Sequence, residues 1–95
     1  VHPNQSVNAF NDPFVIGLRL LAHVVADDDL GSRFLALTGL SADDLRARAD
    51  DPGVLAALIE FVAARESDLV AAADALALRP QTIVAAGDAL AGGRA

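Results

Sequence analysis

The chain has 95 residues, 54% of them hydrophobic, and its 13 acids against 7 bases leave a net charge of -6. Cysteine and lysine are both absent, which excludes disulfide scaffolds, zinc knuckles, thiol nucleophiles, Schiff-base chemistry and a phosphate-loop lysine. Alanine supplies 21 of the hydrophobic positions and Leu, Val, Ile and Phe together 30, enough for one core and not for two.

Residues 1–11 are polar and lack a sustained period, so a flexible N-terminal lead-in is expected there, followed by a single helical domain over 12–92. Asp12-Pro13 is a helix start: the carboxylate accepts a free amide proton and proline fits the first turn. The helix it opens should run from Pro13 to Ala26. Phe14, Leu18, Leu21 and Val25 line one face and Ile16, Leu20 and Val24 an adjacent one. Arg19, His23 and Asp27 make its one polar stripe. A helix so widely apolar is normally surrounded by others, and this one is expected at the centre.

Asp27-Asp28-Asp29 caps a second helix with Leu30, Phe34 and Leu37 on one side, ended by Thr38-Gly39. Ser41 then stands three residues before Asp44, a capping box with Asp in place of Glu. Leu40 and Leu45 flank it at the spacing of a hydrophobic staple. This third helix is short, about Ala42 to Ala49. Asp51-Pro52 repeats the opening signal for a fourth helix, with Leu55, Leu58, Ile59 and Val62 at helical spacing. Ser67-Asp68 starts a fifth, with Leu69, Val70, Ala73 and Leu76 inward, and Leu78-Arg79-Pro80 turns the chain into a sixth that runs to about Leu90. Leu78 and Ile83 repeat the spacing of Leu40 and Leu45, so 30–49 has an echo at 68–87. No stretch alternates with period 2 long enough to propose a strand.

The expected fold is therefore all-α: a compact orthogonal bundle of five or six short helices, with two helix-turn-helix-like units, near 30–49 and 68–90, around the central N-terminal helix. The run Phe34 to Leu40, the Asp44 to Arg46 triplet, the Asp51-Pro52 opening and the Leu78-Arg79-Pro80 turn together resemble the small bacterial proteins grouped as domain of unknown function 3572. The resemblance covers roughly residues 14 to 91. It implies a compact helical domain of the bacterial cytoplasm with no assigned activity, so it carries no catalytic residue onto this chain.

The candidate constellations read as structure. The Asp27-Asp28-Asp29 triplet lacks the alternating acids, central glycine and distal glutamate of a calcium loop, and acids at a helix start stabilise the positive end of its dipole. Asp43, Asp44, Asp50 and Asp51 also sit at helix boundaries. His23 has Arg19 and Asp27 as neighbours at ion-pairing spacings, not in a catalytic arrangement. Ser32, Ser41 and Ser67 belong to no nucleophile motif. Gly92-Gly93-Arg94 precedes no helix and cannot cradle a phosphate. No catalytic, cofactor-binding or metal-ligating residue is assigned, and an enzyme is the poorest reading.

A non-enzymatic protein-interaction module of the bacterial cytoplasm is the expected role, acting on an unidentified protein partner or by self-association. Residues 1–11 carry no leader-like basic region, and no run is long and apolar enough for a bilayer. The alternative is a helix-turn-helix DNA-binding regulator using residues 41–49, with the turn at 39–41 leading into a recognition helix. Arg46 and Arg48 would touch phosphates there. Asp43, Asp44, Asp50 and Asp51 in the same stretch disfavour nucleic acid.

Overall fold

Four of the six helices among the described residues begin where a short polar side chain accepts a backbone amide proton. In the computed structural model, which describes residues 12–92, these are α1 (Pro13–Ala26), α2 (Asp28–Thr38), α3 (Ala42–Ala47) and α4 (Pro52–Ala63). Asp12 accepts from Phe14 N at 2.8 Å, Asp27 from Leu30 N at 3.0 Å and Asp51 from Gly53 N at 2.8 Å. Ser41 and Asp44 exchange both bonds of the capping box, at 3.0 and 3.1 Å. The remaining helices are α5 (Glu66–Leu76) and α6 (Pro80–Gly92). The lead-in expected at 1–11 and the glycine-arginine tail at 93–94 lie outside the described residues.

The bundle is all-α, as expected, and no strand occurs among the described residues. Helix α1 is central in that α2, α4, α5 and α6 all pack against it, yet the tightest pairing is α4 with α6. Glycine explains the closeness. A Cβ built at Gly87 would stand 2.6 Å from Ile59 Cγ2, so that crossing has no room for a larger residue without a shift, and one at Gly17 would stand 3.1 Å from Leu55 Cβ, a tight contact. Ile16, Leu20 and Val24 of α1 meet Leu55, Leu58 and Val62 of α4 and Ile83 of α6, all essentially inaccessible. Each such side chain contributes about 1.5–3 kcal/mol through burial.

The second helix-turn-helix-like unit is orthogonal: α5 and α6 meet at 99°. Its turn differs from the expected one. Ala77 takes the left-handed conformation (φ 57°) that glycine normally supplies. Leu78 N donates to Ala73 O at 2.9 Å, and Ala77 N donates to Asp74 O at 3.2 Å. Those two bonds close a Schellman motif. In the first unit Gly39 (φ 75°) ends α2, and a single bond runs from its N–H to Leu35 O at 2.8 Å. The echo is thus one of spacing and not of turn chemistry.

Three boundaries and three faces depart from expectation. Helix α3 stops at Ala47 rather than Ala49, and α5 starts at Glu66 behind Arg65, which makes no side-chain cap; Ser67 lies inside the first turn. The sixth helix continues past Leu90 to Gly92. Val70 is exposed because the inward stripe of α5 is Leu69, Ala72, Ala73 and Leu76, about 100° round the helix. Leu37 shares a stripe with Leu30 and Phe34 but is 70% exposed, near the end of α2 where no described helix covers it. Val25 is 55% exposed, so the second apolar face of α1 is only partly covered.

Candidate functional site

The polar residues singled out above are separated by the fold. Arg19 leaves His23 and donates from Nη2 to Leu76 O at 2.6 Å, closing the C-terminal end of α5 from α1, where a cation also meets the negative end of the helix dipole. Asp27 turns away to cap α2. His23 is half-buried, with Nε2 inaccessible and without a hydrogen-bond partner among the described residues. Among the described residues no nucleophile or carboxylate is hydrogen-bonded to its Nε2. Among the described residues no three His, Asp or Glu side chains gather where they could hold a metal ion.

Arg46 and Arg48 stay on the exposed side of α3. Arg46 Nη1 meets Asp43 Oδ1 at 3.0 Å, and both side chains are solvated. The Ser41 backbone N–H, the Ser41 hydroxyl and the Arg48 charge hold the Asp44 carboxyl below the usual carboxylate range. Arg46 is therefore paired with a carboxylate, while Arg48 makes no ion pair among the described residues.

A third polar cluster was not foreseen. Arg33 on α2 donates to Asp29 one turn earlier and to Asp68 on α5, each at 3.1 Å, and its guanidinium lies 5.5 Å from the centre of the Phe61 ring. Phe61 in turn packs on Phe34, ring centres 5.3 Å apart and tilted by 57°. The bond to Asp68 is the main cause of the raised affinity of Arg33 for its proton. This cluster fastens α2 to α4 and α5. It reads as a latch.

What is open is apolar. Leu21 and Val25 of α1, Gly31 and Leu35 of α2, and Ala42, Leu45, Arg46 and Ala49 on and beside α3 line a groove of about 370 Å³, partly open to solvent. Helical spacing builds each wall: 21 and 25, 31 and 35, and 42, 45 and 46 are same-face positions, with Ala49 added by the turn after α3. Gly31 keeps the α2 wall low. A Cβ there would sit in ordinary contact with α1, 3.4 Å from Val24 O. Arg46 is the one charged side chain in the lining, and its charge is offset by Asp43 outside.

The family described as Protein of unknown function (DUF3572) matches residues 11–93. The chain belongs to this family. No curated protein and no solved structure matches it. Membership in DUF3572 covers the six described helices and both helix-turn-helix-like units. No single helix among the described residues is long and apolar enough to cross a membrane; α5 and α6 pass that test of composition only as a pair, across their 99° bend.

Proposed function

We propose that this DUF3572 protein is a non-enzymatic protein-interaction module of the bacterial cytoplasm, and that the α1–α2–α3 groove is the surface it offers. The observation that carries this reading is the groove itself: six aliphatic or alanine side chains and a glycine, open to solvent, with Val25 more than half exposed on one wall. Contiguous apolar surface at the face of a small protein marks interaction sites more often than isolated exposed residues do. Such a groove has few groups to orient a small substrate, since a ligand pocket normally adds convergent polar atoms to its apolar lining.

The DNA-binding alternative through 41–49 has less support. Helix α3 spans six residues, about 9 Å at 1.5 Å per residue, and its one arginine, Arg46, is paired with Asp43. A gel-shift with genomic fragments at low salt separates the readings, with binding lost in Arg46→Ala and Arg48→Ala favouring DNA. The direct test is a photo-crosslinking residue at Val25, compared with one at Val84, an exposed position outside the groove. The reading expects reproducible crosslinked species from Val25 in native cells and fewer from Val84. Equal yields from both positions would sink it.

A further inference from the structure

We infer that the occupant of the α1–α2–α3 groove is a cationic amphipathic helix of another protein; this rests on the groove being a docking surface, as proposed above. Charge complementarity around an apolar floor points to it. Residues 12–51, which build the three walls and their turns, hold eight Asp against four Arg. Three of those arginines are already engaged: Arg19 on the Leu76 carbonyl, Arg33 on Asp29 and Asp68, and Arg46 on Asp43. No carboxylate lines the groove itself, but Asp28 and Asp50, which neighbour its wall residues along the chain, have no ion-pair partner among the described residues. Asp28 lies on the stripe of α2 that continues through Gly31 and Leu35, and Asp50 follows Ala49 at the other wall; both are exposed.

A helix that lays apolar anchors at i, i+3, i+4 and i+7 into such a groove presents its flanking positions to the rim, where Lys or Arg would meet Asp28 and Asp50. The same charge disfavours a second copy, since each chain carries -6 and would bring an identical acidic rim. The chain's own residues 1–11 contain neither Lys nor Arg, so they lack the matching charge.

The test uses the isotope-labelled full chain and three designed peptides of roughly 18 residues. One has a leucine stripe flanked by Lys, one the same stripe flanked by Glu, and one the Lys composition scrambled so that no stripe forms. The Lys-stripe peptide is expected to shift the amides of Val25, Gly31, Leu35, Ala42 and Ala49. Its affinity should fall about fivefold or more between roughly 50 and 500 mM salt. Asp28→Asn with Asp50→Asn should weaken it about threefold to tenfold. Val25→Arg and, separately, Ala42→Arg should each weaken it about tenfold, with helicity checked by circular dichroism; both sites are exposed, so the fold should survive. If the Glu-stripe peptide binds as well as the Lys-stripe one, the cationic partner is overturned while the groove reading stands. If the scrambled peptide does as well, or no peptide moves the groove amides, the docking surface itself is overturned. Groove amides that shift with the chain's own concentration would assign the site to a second copy and also overturn the proposal.

Discussion

The two helix-turn-helix-like units share their spacing and differ in what holds them. In α2–α3 the local chemistry is complete: Asp27 and Ser41 cap, Asp44 closes the box and Gly39 takes the left-handed turn. Yet α3 contributes one buried side chain, Leu45, and Leu37 lies in solvent. In α5–α6 the chemistry is poor. Arg65 makes no cap bond and an alanine is forced left-handed at the turn. That unit is nevertheless built into the core through Ala72, Ala73, Leu76, Ile83, Ala86 and Leu90. Caps decide where a helix begins; packing decides whether it belongs to the core, and the two need not coincide.

The largest expected effect tests the packed unit. Ile83→Ala should cost about 2–5 kcal/mol in chemical denaturation, since the side chain is fully buried between helices. A loss below about 1 kcal/mol would mean that α6 is not a core helix. Gly87→Ala should cost about 1–3 kcal/mol through overpacking despite the better helix propensity of alanine. Its coupling to Ile59→Ala should be favourable, because the colliding Cγ2 is then gone.

The other unit should respond to its caps. Ser41→Ala is expected to cost about 1 kcal/mol of α3 stability, read by faster amide exchange confined to 42–48. The opposite sign is expected at the second turn. Ala77→Gly should stabilise by roughly 0.5–1 kcal/mol, since it relieves a left-handed alanine at some cost in unfolded-state entropy. The smallest effect is with pH. Asp44 is held below its ordinary value in the fold, so its contribution is full above the unfolded carboxylate value of about 3.9. It fades as pH falls through the lowered folded value. The Ser41 and Asp44 amides should report that transition in an NMR titration, and Asp44→Asn should abolish it.

The same contrast explains what could be read in the sequence. Asp12-Pro13, Asp27, Gly39, Ser41 and Asp51-Pro52 marked real boundaries because each acts on backbone groups two to four residues away. The Arg33 to Asp68 bridge spans 35 residues and the Arg19 to Leu76 bond 57, so no spacing rule could announce them. The unusual αL alanine also left no signal, since the turn depends on how α5 and α6 pack. The groove was legible in part: α1 reads as apolar on two adjacent faces, and Val25 on one of them is left in solvent. That Gly31 lowers the opposite wall depends on the α1–α2 crossing, which periodicity does not give.

Native-state hydrogen exchange tests the division of labour most directly, because a groove wall is free to adjust to a partner if it lies outside the folding core. Amides of α4 and α6 should exchange only when the whole chain unfolds, while those of α3 and the end of α2 open locally at distinctly lower free energy. Protection of α3 equal to that of α4 and α6 would contradict the account.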